Sequence, residues 1–289
     1  MKWKTKITEM LGCKYPIILG AFARHDDTEL AAAVSKAGGF GILTASYFQS
    51  KDDFRNAILK IKKITDNPFG VNFTAPGKIE LTHPFYRYLE ILNEEGVNTI
   101  ITAAGKIEAF GKESREYGMN WIHKVTTMKH ALSGVEMGAD AIILTGLEGG
   151  GLKNPKQNTL LINMVNANRL LNIPFIASGG ISDGKGFLAA LILGAQAVHL
   201  CTAFLATKES PIDDNWKQNI VDADSFDTEL IQSVCHFESD RPKMSPISMA
   251  AGMIDKIISA EDLIKNIINE AEEILKKIGF QGEEINFNG

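Results

Sequence analysis

Short apolar runs dense in isoleucine, leucine and valine recur eight times along the chain, at residues 15–19, 41–45, 69–73, 99–103, 121–125, 141–145, 174–177 and 197–200. Several, such as AIIL at 141–144 and PFIA at 174–177, lack polar alternation, the pattern of strands buried on both faces of a parallel sheet. Helical stretches lie between them. Examples are 28–37 with its AAAV core, 50–64 with Ser50 as cap and Asp53 three residues on, 82–95, and 184–193, which Asp183 can cap. Gly38-Gly39, Gly96, Gly118 and Gly138 stop helices just ahead of the next strand. Eight strand–helix units spaced 20–33 residues apart predict an α/β fold, a TIM (β/α)8 barrel. The rival is a doubly wound sheet, which more often has five or six strands and a glycine fingerprint after the first; here the glycine signal follows the seventh.

After Thr207 the pattern changes. Residues 208–244 are polar and irregular, with Pro211 and Pro242 and one helical stretch near 214–222, and read as a small, reduced helical appendage running over the barrel mouth. Two helices are predicted at 248–258 and 260–278, the second with Glu261-Asp262 early and Lys276-Lys277 late, as the helix dipole favours. The tail QGEEINFNG reads as loose. The expected organisation is therefore a barrel over 1–207, the excursion over 208–244, and helices completing the barrel over 245–289.

Composition narrows the function classes. With 289 residues, 45% hydrophobic and 22% charged, the chain is an ordinary globular protein, and its net charge of −5, with both signs interspersed, provides no field to gather nucleic acid. Small molecules are the expected partners. Cys13, Cys201 and Cys235 lie far apart without CxxC spacing, which argues against zinc and disulfides and fits a reducing, cytoplasmic setting. No apolar run approaches the roughly 20 residues that cross a bilayer. No histidine or carboxylate cluster has metal spacing, so no metal is expected, and no GxSxG or Cys/His pattern supports a covalent hydrolase.

In a barrel, chemistry sits at the C-terminal strand ends. The seventh run opens into Ser178-Gly179-Gly180 and the eighth into Cys201-Thr202. Glycine lets backbone approach an anion closely, helix N-termini favour negative charge, and barrel enzymes commonly hold phosphate after strands 7 and 8. A tight turn with glycines for sterics alone is the alternative. Lys124 ends a strand among apolar residues and points to the mouth as a cation in need of an anion, unless Glu148 pairs with it. Glu148-Gly149-Gly150-Gly151 suits either a planar ligand against bare backbone or a flexible loop. His25, after strand 1, is either a solvated loop residue or a base; His123 and His199 read as structural, and His83, His130 and His236 as surface residues.

The stretches YPIILGAF, ELAAAVSKAGGFGIL, NPFGVNFT, IHKVTTMKHAL, GADAIILTGLEGGG, IPFIASGGISDGKGFLAALILGA and TAFLAT resemble the nitronate monooxygenase family, formerly called 2-nitropropane dioxygenases, which includes flavin-dependent enoyl reductases and NADH:quinone reductases. The likeness runs from Tyr15 to Thr207 and resumes over residues 248–252. It implies a TIM barrel with non-covalent FMN, NAD(P)H as a candidate electron donor, and a protein for which a homodimer is an option. By matching motif, the backbone of Ala21, Phe22 and Ala23 would lie along the flavin ring, with Asn72 and Thr74 at its edge. Lys124 would face the ring's N1 and C2 carbonyl side. Gly150 and Gly151 would flank the ring, and Ser178, Gly179, Gly180, Cys201 and Thr202 would hold the phosphate.

The departures shape the expected chemistry. Where the family pattern EAGGH places its histidine base, this chain has EGGGL, with Leu152 at the histidine position; Leu19 replaces a glutamine, Cys201 a glycine and Ala203 an arginine. Leucine accepts no proton, so an already anionic, nitronate-like substrate oxidised with O2 is the first expectation. Lys124 and His25 are the candidate catalytic residues. An NAD(P)H-dependent enoyl or quinone reductase is the alternative, and a flavin-binding protein without catalysis the third.

Overall fold

The computed structural model describes residues 1–22, 25–75, 83–105 and 107–288. Eight strands form one parallel sheet: β1 (Ile17–Leu19), β2 (Gly41–Thr44), β3 (Phe69–Thr74), β4 (Thr99–Ala103), β5 (Asn120–Val125), β6 (Ala141–Thr145), β7 (Phe175–Ser178) and β8 (Ala197–Leu200). Their order is β1-β8-β7-β6-β5-β4-β3-β2, and a short seam joins β1 to the start of β2: Phe40 N–H donates to Ile17 O at 2.8 Å and Leu19 N–H to Phe40 O at 3.0 Å. The sheet is thus a barrel, as the eight apolar runs predict.

Close approaches fix which side chains enter it. A Cβ on Gly41 would fall 2.0 Å from Ala31 O of the surrounding helix, so Gly41 faces outward and Ile42 and Thr44 inward. Ile142 and His123 meet Gly134 on the outside, which turns Ile143, Thr145, Ile122 and Lys124 inward. Register carries this parity around the barrel. Its lower interior is fully buried and apolar, from Ile18, Phe40 and Ile42 to Ile122, Ile143 and Ile176. Toward the C-terminal end the same face becomes Thr44, Asn72, Thr74, Lys124, Thr145, Ser178 and His199. That change in polarity sets one end of the barrel apart as the candidate site.

Helices α1 (Thr28–Lys36), α2 (Lys51–Ile64), α3 (Pro84–Glu94), α4 (Glu108–Glu116), α5 (Met128–Met137), α6 (Leu160–Leu170), α7 (Gly184–Ile192) and α8 (Ala260–Lys277) cover the outside. Ser50 caps α2 by accepting from Asp53 N–H, Asp183 caps α7 by accepting from Gly186 N–H, and Gly138 at φ 95° ends α5. Helix α8 packs against both α7 and α1, completing the ring. It buries Ile264, Ile267, Ile268 and Leu275, each worth roughly 1.5–3 kcal/mol when fully buried. Gly184 is required there because a Cβ would lie 2.6 Å from Ile267 O. The opposite end of the barrel is crossed by the helix Lys6–Leu11: Lys6 N–H donates to Gln196 Oε1 at 2.9 Å and Asn120 Nδ2 to Met10 O at 3.3 Å.

Three expectations need correction. The tail is not loose: Glu284–Asn286 pairs in parallel with Lys2–Lys4, burying Ile285 and Trp3. The helix expected at 248–258 is only a 3-10 turn, Met249–Met253, so a single α-helix, not two, completes the barrel after residue 245. The turn is short because its backbone lies tight on the excursion, where a Cβ on Gly252 would be 2.0 Å from Ser225 N. The excursion carries two helices, Asp214–Val221 and Thr228–Cys235, instead of one. It also contributes the strand Lys243–Ser245, antiparallel to Gly151–Lys153 beyond β6. The chain leaves at Thr207 and returns at Ile258, and Lys208 N–H donates to Ile258 O at 2.9 Å. The third helix begins at Pro84; residues 76–82 lie outside the described residues. Among the described residues no helix is long and apolar enough to cross a membrane, and no group of side chains could hold a metal ion.

Candidate functional site at the barrel mouth

Two loops with spare hydrogen-bond donors lie side by side at the ends of β7 and β8. Gly179 and Gly180 have φ of 103° and 72°, conformations that favour glycine, and a Cβ on Gly179 would fall 2.8 Å from the backbone of Gly149. The backbone N–H groups of Gly179, Gly180, Cys201 and Thr202 find no acceptor among the described residues. The Ser182 hydroxyl is also buried without a partner. Ser248 points both its N–H, at 3.0 Å, and its hydroxyl, at 2.9 Å, into Thr202 Oγ1, leaving the Thr202 proton free. An anion is the natural complement of such a donor set. Cys201 is a protonated thiol, its pKa pushed up to about 11 by burial.

Lys124 enters this space from β5. It makes no ion pair or hydrogen bond among the described residues, and burial lowers its pKa. Glu148, which could have paired with it, instead accepts from Leu160 N–H at 2.8 Å and so caps α6. The Thr145 hydroxyl, 1% exposed and without a partner, and the Ser178 hydroxyl, 3.0 Å from His199 Nδ1, complete the inner rim. On the other side Asn72 Nδ2 donates to Thr74 Oγ1 at 2.8 Å.

The loop after β1 is held by a buried chain of hydrogen bonds. Thr44 N–H and Oγ1 donate to the two oxygens of Asp27 at 2.9 and 2.5 Å, and Thr44 Oγ1 accepts from Phe22 N–H at 3.1 Å. Asp27 is fully buried, and burial raises its carboxyl from 3.8 to about 7. Its proton therefore stabilises the fold most below pH 3.8, and that stability is lost as pH rises to about 7. The stability advantage of wild type over Asp27→Asn is expected to shrink by a few kcal/mol between pH 5 and pH 8, on the order of 1.4 kcal/mol per pH unit. Urea melts of both proteins check this, and a pH-independent difference would refute it. Phe22 is in the core, its N–H on Thr44 and its carbonyl accepting from His25 N–H at 3.2 Å, Ala21 is half-exposed beside it, and Ala23 lies outside the described residues.

The loop after β6 is stiffened from beneath. Lys153 is fully buried and donates through Nζ to Gly149 O at 2.6 Å and to Leu147 O; burial lowers its pKa to about 8. Gly150 is packed so that a Cβ would meet Ile247 O at 2.6 Å, while Gly151, at φ 78°, is open. Leu152, at the expected base position, is 45% exposed and pairs with Met244. His25 stands on the rim with its ring 6.0 Å from that of Trp216 in the excursion. A cleft of about 770 Å³ beside Tyr47, Asn56 and Lys60 contains none of the sequence-predicted residues.

The structure thus brings Lys124, Ser178, Gly179, Gly180, Cys201, Thr202, Asn72, Thr74, Gly150 and Gly151 to one barrel end. Sequence reasoning missed Thr145, Ser182, Asp27, Lys153 and Ser248. Thr145 could have been found by counting two residues on from Ile143 along the strand.

This geometry defines a TIM barrel whose C-terminal mouth carries hydrogen-bond donors with no acceptor among the described residues. The chain belongs to the nitronate monooxygenase family, whose model matches residues 4–82 and 77–241. It is 35% identical over 224 residues to a Mycobacterium tuberculosis (3aS,4S,5R,7aS)-5-hydroxy-7a-methyl-1-oxo-octahydro-1H-indene-4-carboxyl-CoA dehydrogenase, covering 77% of this chain and 61% of that relative. A probable nitronate monooxygenase of Staphylococcus saprophyticus is 30% identical, over 79% of this chain and 75% of the relative. The structure of FabK from Thermotoga maritima superimposes with a TM-score of 0.80 at 30% identity, covering 95% of this chain and 98% of that one. The chain spans about three fifths of the length of the M. tuberculosis relative.

Proposed function

We propose that the mouth holds FMN without a covalent bond and that the chain is an FMN-dependent oxidoreductase. One observation carries this reading: the inward, unpaired Lys124 shares a barrel end with two adjacent runs of unpartnered donors. A half-buried cation without a counter-ion carries a desolvation cost, and a ligand negative at both its ring and its phosphate would complement the whole set. Bound flavin would supply the electron transfer. Thr202, Ser178 and the free N–H groups would hold the phosphate, Lys124 would balance charge on the ring, and the Asp27–Thr44–Phe22 chain would keep the first loop in place.

The position that carries the family pattern's base has no group here to take a proton from carbon. Leu152 cannot, His199 is engaged by Ser178, and His123 faces outward to Thr102. The first reading is therefore oxidation of an anionic, nitronate-like substrate with O2. Reduction of an enoyl or quinone acceptor by NAD(P)H is the second, favoured by the likeness to FabK along almost all of that chain. The purified protein is expected to be yellow, to release FMN on denaturation, and to lose FMN when Ser178→Asp places a carboxylate beside the phosphate. A colourless protein that cannot take up FMN, or undiminished FMN affinity in the variant, would overturn the assignment.

A further inference from the structure

The Ser178 hydroxyl is not free to point where it will. His199 lies level with it on the next strand, Nδ1 is 3.0 Å from Ser178 Oγ, and the two residues are only 2% and 4% exposed. Burial and the Lys124 ammonium hold the imidazole pKa well below its ordinary value, so the ring is neutral, with one N–H and one lone pair. Nε2 has no partner among the described residues. If the proton sits on Nε2, Nδ1 accepts from Ser178 and the serine offers only lone pairs to the mouth. If it sits on Nδ1, the ring donates to Ser178 Oγ and the serine proton is left for a ligand. Ser178 occupies Nδ1, so Nε2 is the nitrogen without a described partner, and the Lys124 charge that the ring feels favours a lone pair over a proton there. Thr202 follows the same logic by a separate device, because Ser248 fills its oxygen with two donors.

We infer that His199 is a positioning residue that keeps its proton on Nδ1, under the field of Lys124, and thereby turns the Ser178 hydroxyl outward as a donor to a phosphate monoester. The inference rests on the flavin reading of the mouth. An all-donor rim suits a phosphate dianion and offers an uncharged hydroxyl nothing to donate to, so it selects the phosphorylated over the unphosphorylated flavin.

The test is the affinity of flavin-free wild type, His199→Leu and His199→Asn for FMN and for riboflavin. His199→Leu is expected to weaken FMN roughly 10- to 100-fold, the range for a hydrogen bond to a charged group, while riboflavin binding stays within about twofold. His199→Asn, whose amide N–H reaches the Nδ1 position, is expected to recover most of the loss. Nitrogen-15 NMR of wild type should find the His199 proton on Nδ1. Equal weakening of both flavins, unchanged FMN affinity, or a proton on Nε2 would each overturn the inference, and the NMR result stands even if the leucine variant does not fold. If wild type binds neither flavin, the flavin reading fails, and inorganic phosphate becomes the probe. Phosphate binding lost in His199→Leu and regained in His199→Asn upholds the inference; no phosphate binding overturns it.

Discussion

Lys124→Met is expected to lower the reduction potential of bound flavin by roughly 90 mV and to raise the melting temperature of the flavin-free protein. The two signs follow from one charge. Without ligand, the half-buried ammonium has no ion pair among the described residues, and removing it relieves its desolvation cost. With flavin bound, reduction adds negative charge that the cation stabilises. A unit charge at about 4 Å contributes about 4 kcal/mol at an effective dielectric of 20, and 30 mV corresponds to about 1.4 kcal/mol for a two-electron couple. A lysine with a merely structural role would behave oppositely, its loss destabilising the free protein and leaving the potential alone. Redox titration and thermal melts of the two proteins separate these cases. An unchanged potential in a variant that still binds flavin would remove Lys124 from the site.

The prospects for reading such a site from sequence differ by layer. The barrel was legible because parallel strands buried on both faces must be apolar throughout, and all eight such runs became strands with ends shifted by at most two residues. The three-residue strands Lys2–Lys4 and Glu284–Asn286 were not, because each gains its structure from a partner almost the whole chain away, and flanking charges hide Trp3 and Ile285. SMAAGM had helical composition, yet Ser248 spends its donors on Thr202 and Gly252 lies against Ser225, so tertiary contacts overrode propensity. Lys124 could be placed because a charge among apolar neighbours announces itself. His199 reads as structural in the sequence, where neither its hydrogen-bond partner nor the cation that influences it is near; strand register brings Ser178 beside it. Lys153 and Asp27 were invisible for a related reason. Each acts through backbone or hydroxyl partners with no sequence signature.

Wild type is expected to oxidise a nitronate while turning over the parent neutral nitroalkane about 10²- to 10⁴-fold more slowly, the usual worth of a general base. The nitroalkane must lose a carbon-bound proton before it can give up electrons, whereas the nitronate has already lost it. At the position where the family pattern carries histidine, Leu152 offers no lone pair, and its neighbours on the ribbon give none: Met244 opposite is apolar, and the buried Lys153 is committed to the carbonyls of Leu147 and Gly149. Leu152→His should therefore raise nitroalkane turnover much more than nitronate turnover. Room for the ring is not an obstacle, because Leu152 is 45% exposed and the adjoining Gly151 has open space on its Cβ side. Paired steady-state assays of both proteins with both substrates decide the matter. Comparable wild-type rates on the two would mean that another group takes the proton, with His25 on the rim the first to replace. Oxidation of neither, alongside rapid NADH consumption in the presence of an enoyl or quinone acceptor, would transfer the assignment to the reductase reading, for which a leucine at this position is no handicap because hydride transfer requires no base there.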